Sequence, residues 1–183
     1  MTADDAGSNV QAAAERAKSD AALLGQFLEV VRQSEEMLLQ SGVAADRSRD
    51  IAHARALLML PEWFVVGCAL PGEKQPDVKQ LSMIEVRGPQ GERTPSLAVF
   101  PTMSLAQAEI PRMQVPFEHG FWVTLAAPSE GVLEWIRSMK IPAISLVLVA
   151  GGNGPSSVLG LEFVEWVRKI EAEQRQAQQP PAP

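Results

Sequence analysis

Cysteine, histidine and tyrosine are nearly missing from this chain. Cys68 is the single cysteine. No intrachain disulfide can form, and a reducing, cytoplasmic home is the expectation. Histidine occurs only at His53 and His119, tyrosine not at all, and no aspartate follows Asp77. From Val78 onward every acidic side chain is a glutamate. That removes many of the sets from which metal sites and acid–base pairs are built. Two histidines far apart in sequence, with no aspartate cluster, do not make a zinc site, so neither a metal nor a cofactor is expected. Clustered positive charge is also lacking. The net charge is −6, and Lys and Arg occur singly apart from Arg168–Lys169. Nucleic acid and anionic membrane both reward a basic stripe, so neither is expected as a partner. The opening MTADDAGSNVQ has no cationic segment followed by an apolar one, so a secretory signal is not expected. The longest apolar stretch, Ile141–Ala150, is too short to cross a membrane.

What is present is ordinary for a globular chain. Its 183 residues are 46% hydrophobic and 21% charged, enough for one domain with appendages and a real core. Residues 1–8 read as a frayed tail and 178–183 as a disordered, proline-rich one. Between residues 9 and 60 there is no proline, and Ala, Leu, Glu, Gln and Arg dominate. Ala21, Leu24, Phe27, Leu28, Val31, Leu38 and Leu39 recur mostly at spacings of three, four and seven, which predicts an amphipathic helix. Ser41–Gly42 supplies its stop. A second helix follows, with Asp46 as N-cap, Ile51, Ala54, Leu57 and Leu58 as its stripe, and an end before Pro61. The pair forms a helical hairpin. Appended to a compact domain, it either covers a sheet face or docks a partner.

From residue 61 to 177 the texture changes to short apolar runs broken by Pro and Gly. Strands are predicted at Trp63–Leu70, at Val78–Gly88, at Thr94–Phe100, at Phe121–Ala126 and at Ala143–Ala150. Helices are predicted from Ser104, capped by that residue, from Pro128 to Lys140, and from Ser156 to about Ala177. The fold class is α+β: a mixed sheet of about five strands with packed helices, preceded by the hairpin.

The stretch LVLVAGGNGPSSVLG, from Leu146 to Gly160, raises the sharpest chemical question. A strand, a glycine loop and a helix N-terminus can cradle a phosphate. Here no lysine follows the glycines as a Walker loop requires. Ser157 stands where the dinucleotide pattern needs its third glycine. As a nucleophile elbow the sequence lacks the closing glycine, and no histidine follows it. Gly151, Gly152, Asn153, Gly154, Ser156 and Ser157 therefore stand as candidate ligand contacts, against the simpler reading of a sharp turn with Ser156 or Ser157 capping the last helix. Cys68 with His119 and its neighbour Glu118 could in principle form a thiol site. But Cys68 lies in an apolar run, where a small buried thiol is the commoner state. His53, flanked by alanines on an arginine-rich helix, reads as a surface histidine. The four tryptophans, Trp63, Trp122, Trp135 and Trp166, read as core anchors.

SLAVFPTMSLAQA (Ser96–Ala108) resembles the "lpvFTs" strand and following short helix of the N-terminal domain of the SseB family, named for enhanced serine sensitivity. The segment from Val123 to Gly154 resembles that family's next strand, helix and "lvlNPg" loop. The resemblance spans about residues 57–160, with Pro101 and the Gly-Gly-Asn-Gly turn differing from the pattern. It implies a domain without catalytic residues, accessory to other systems.

The function expected is thus a non-catalytic protein–protein interaction module: an adaptor, regulator or secretion-associated accessory factor that binds another protein, itself as a homodimer, or both. Leu24, Phe27, Val31 and Leu38 on the first helix, and Phe163, Trp166 and Ile170 on the last, are its expected contacts. The alternative is a small-ligand binder or hydrolase-type enzyme using loop 151–157.

Overall fold

A computed structural model describes residues 3–69, 81, 83–87, 91–112, 121–139, 145–149 and 157–178. The chain runs through α1 (Ala3–Gln40), α2 (Ala45–Met59), β1 (Trp63–Ala69), β2 (Met83–Arg87), β3 (Arg93–Val99) and α3 (Met103–Glu109). A 3-10 turn, β4 (Phe121–Ala127), α4 (Ser129–Ser138), β5 (Ser145–Leu148), β6 (Ser157–Gly160) and α5 (Leu161–Gln178) complete it.

The α+β class and the opening helical hairpin are as expected, and two features of the strands are not. The strands divide between two sheets, an antiparallel β1–β4 pair and a four-stranded sheet in the order β2-β3-β5-β6. Only β3 and β5 run parallel. The two sheets meet where Phe64 and Phe100 exchange backbone hydrogen bonds at 3.1 and 2.8 Å. Pro95 lies opposite Glu85 on the part of β3 that pairs with β2, before the β5 pairing begins at Ser96, so it sits where β3 is paired on one side, as strand prolines usually do. The second difference is β6, where the last helix was expected to begin. Ser157, Val158, Leu159 and Gly160 alternate buried and exposed. That period of two buries Leu159 opposite Leu146 of β5, and pairing with β5 overrides the capping role expected of the serines. The helix starts only at Leu161.

Alternation along the strands builds two cores. Trp63 and Val65 of β1, with Leu97 and Val99 of β3, face the main core, whereas Phe64, Val66, Ala98 and Phe100 face a smaller cluster with Ala106 of α3. In the main core the strands meet Leu57 of α2, Leu133 and Ile136 of α4, and Val164 and Val167 of α5. The hairpin joins the same cluster through Phe27 and Val31, so it covers a sheet face.

Local signals explain the joints. Gly42 has φ +82°, a left-handed conformation that favours glycine, and Val43 N–H returns to the Leu38 carbonyl at 3.0 Å to close α1. Helix α1 begins at Ala3, ahead of the expected start near residue 9. Helix α2 has Ala44, not Asp46, at its N-cap; Asp46 sits in the first turn, where it suits the helix dipole. Thr102, not Ser104, caps α3, accepting from Leu105 N–H at 3.4 Å. The Ser104 N–H instead reaches across to Asp20 of α1 at 2.8 Å.

Candidate functional site

Two places hold the candidate residues: the start of β6 and the outer face of α5. Gly151, Gly152, Asn153, Gly154 and Ser156 lie outside the described residues, as do Glu118 and His119 and the Cys68 side chain. Ser157 is described, and its surroundings correct two expectations. It opens a strand rather than capping a helix, and it touches His53.

His53 is not at the surface; it is 1% exposed. Ile51, Ala52, His53 and Ala54 are all buried, because α2 packs on α1 along one side and on β6 and α5 along another. A helix covered on several sides carries no single stripe. The ring Nδ1 lies 2.9 Å from the Arg49 carbonyl and 3.1 Å from Ser157 Oγ. A carbonyl only accepts, so in the neutral ring Nδ1 carries the proton and Nε2 is the bare nitrogen. Nε2 is buried and has no hydrogen-bond partner among the described residues. Burial pushes the imidazole pKa below its ordinary value, while the Arg49 carbonyl and the Glu35 and Asp50 carboxylates pull it partly back.

This geometry decides what the pair can do. A nitrogen that already holds a proton cannot take one from Ser157, so the hydroxyl is not activated as a nucleophile. Ser157 is also only 5% exposed, closed to a substrate. The pair ties α2 to β6, and Ser157 drops out of the candidate ligand contacts.

The expected partner-binding residues separate by helix. Phe27 and Val31 are buried in the main core, and Leu24 packs against it. Leu38 is half-buried. Phe27 and Val31 therefore lie on the hairpin's inner face and are removed as surface contacts, whereas Leu28 and Leu39 of the same stripe are exposed. On the outer side of α1, Arg32 bridges Glu29 at 2.7 Å and Glu36 at 3.2 Å, beside the exposed Met37. Hydrogen bonds from Arg32 and Gln33 hold the Glu29 carboxyl down at about 2.

Helix α5 behaves differently. Val164 and Val167 enter the core, which leaves Phe163, Trp166 and Ile170 along its flank at spacings of three and four. Trp63 is fully buried, but Trp166 is 43% exposed. Its ring stacks on Phe163 with centroids 5.9 Å apart and planes at 28°. The Arg47 guanidinium, from the first turn of α2, lies 5.8 Å from the ring centroid. The indole is thus exposed yet held from two sides. Nothing in the sequence separated it from the core tryptophans except the breadth of the apolar surface on α5.

Two hollows carry less chemistry. A cleft of about 200 Å³ between α2, α4 and α5 is lined in part by Arg55, Arg168, Arg175, Glu130 and Glu171. Arg55 forms an ion pair with Glu171 at 2.7 Å, and Arg168 pairs with Glu130, so two of these cations are already answered. A hollow of about 210 Å³ beside β4 and α4 is bounded by Val65, Leu125, Val132 and Trp135, with no charged side chain among the described residues of its walls. Among the described residues no three of His, Cys, Asp and Glu come together to hold a metal ion, and no described helix is long and apolar enough to cross a membrane. In comparison with known proteins, no family model and no curated protein matches this chain.

Proposed function

We propose that this protein is a non-catalytic protein-binding module, an adaptor, regulator or secretion-associated accessory factor of a reducing cytoplasm, and that it binds through α5. The carrying observation is Trp166, 43% exposed and fixed between Phe163 and Arg47. Tryptophan and arginine supply a disproportionate share of the binding energy at protein interfaces, tryptophan through a large ring with few torsions to fix and arginine through a planar guanidinium with several donors. An indole already held in one orientation loses less conformational freedom on docking than a free one. The acidic net charge and the resemblance to the SseB N-terminal domains are in keeping with an accessory role. The partner is another protein or a second copy of this chain.

The test is a photo-reactive residue placed at 166, with Met37, 56% exposed on α1, as control site. The reading expects a discrete adduct from position 166 in the native cell extract and none from position 37. The same products from both positions, or none from 166, would remove α5 as the contact surface.

A further inference from the structure

We infer that His53 is an acid-released latch, through which the helical hairpin is held on the β6 edge of the sheet while the imidazole is neutral and loosened when it is protonated. Three observations place the device. The ring is 1% exposed and lies where α2 meets β6. Its Nδ1 spans the Arg49 carbonyl on its own helix and the Ser157 hydroxyl on the strand, which stands 104 positions later in the chain. Its Nε2 is buried without a partner among the described residues. A proton arriving at Nε2 creates an N–H with no acceptor and a charge cut off from water, and both are costly in a closed core.

Among the described residues, the charged groups that act on the ring are Glu35 from α1 and Asp50 and Arg49 from α2, and β6 presents the Ser157 hydroxyl. Neither carboxylate is hydrogen-bonded to the imidazole. Their attraction offsets part of the cost of charging the ring, Arg49 adds to that cost, and burial outweighs the sum. The chain has the least costly way out at the ring's own contacts: α2 separates from β6 and the imidazolium meets water. Phe27, Val31 and Leu57 share the core with that contact, so the hairpin's inner face is what becomes exposed.

The experiment follows the ring and the hairpin in one sample. Only two histidines occur, so a His119→Gln variant leaves His53 as the sole imidazole signal in an NMR titration from pH 8 to pH 4.5. The expected result is a His53 midpoint below 6.5. In the same pH range, amide hydrogen exchange of α1 and α2, corrected for intrinsic rates, should accelerate relative to β3 and β5 by the factor that linkage gives, about tenfold for each pH unit by which the measured midpoint lies below 6.5. In a His53→Gln variant, which cannot titrate there, the hairpin should show no such acceleration. Should that variant fail to fold, Ser157→Ala provides the second arm, with hairpin exchange faster already at pH 7.5. An ordinary midpoint near 6.5 with no change in the hairpin overturns the latch. So does a loss of protection spread evenly over the whole chain.

Discussion

The indole Nε1 of Trp63 donates to the carbonyl of Leu57 at 2.8 Å. That carbonyl lies in the last turn of α2, where it also accepts from the Leu60 N–H at 3.2 Å. The first large side chain of β1 supplies a second donor, so the end of the hairpin and the start of the sheet meet at one acceptor. Trp63 is fully buried.

Trp63→Phe keeps an aromatic ring and removes the donor. The expected cost is about 1–3 kcal/mol, from the loss of one of the two hydrogen bonds to the Leu57 carbonyl and from the smaller ring's poorer fill. A urea titration checks this through a lower midpoint at unchanged slope. A change in slope would instead indicate that the hairpin had come away from the sheet.

A second tie joins α1 to α3. The Asp20 carboxylate accepts from both the N–H and the O–H of Ser104, so an acidic group from a distant helix serves the first turn of α3. Asp20→Ala should cost about 1 kcal/mol, the usual worth of a helix cap. In a chain of this length that lowers the melting temperature by roughly 2–4 °C. Asp20→Asn, which still accepts a hydrogen bond, should recover part of the loss.

These ties show where the sequence was readable. The turn at Gly42, the apolar stripe of α1, and strands β1, β3 and β5 all follow from local pattern, because each is an apolar stripe or a short apolar run bounded by a clear punctuating residue. His53 did not, for a physical reason. Arg47, Arg49 and Arg55 surround it in sequence, which is the signature of an exposed helix. Yet Arg47 leans over Trp166 and Arg55 reaches Glu171. Long cationic side chains left the interior and the small residues between them filled it. β6 was hidden likewise, since a four-residue strand takes its identity from β5, a partner the sequence does not place beside it. The α5 flank was legible as a candidate contact, but the arginine over Trp166 comes from the other end of the chain.

Two titrations of opposite sign set the pH dependence. His53 has a folded pKa below its ordinary 6.5. Its contribution is therefore fully present above 6.5 and is lost as pH falls through the lowered value. Burial raises the Asp50 carboxyl above its ordinary 3.8. The fold prefers that group protonated, so Asp50 adds stability as pH falls through its raised value. Urea midpoints should fall below pH 6.5 in the wild type and stay flatter in His53→Gln. At pH 7, Asp50→Asn should raise the midpoint, since it removes a partly buried charge.

The central claim is that Trp166 is a contact residue. Trp166→Ala removes the Phe163 stack and the Arg47 contact and should cost about 1–2 kcal/mol, a few degrees of melting temperature, with the chain still folded. An interface anchor of this kind is worth about 2 kcal/mol or more, which is roughly a thirtyfold loss of affinity. The most direct measurement is the mass of the species that carries the protein in its native extract, by sizing with light scattering, for the wild type and for Trp166→Ala. The account predicts a species heavier than one chain for the wild type and a shift to the single chain for the variant. Equal masses for the two, with both folded, would contradict it.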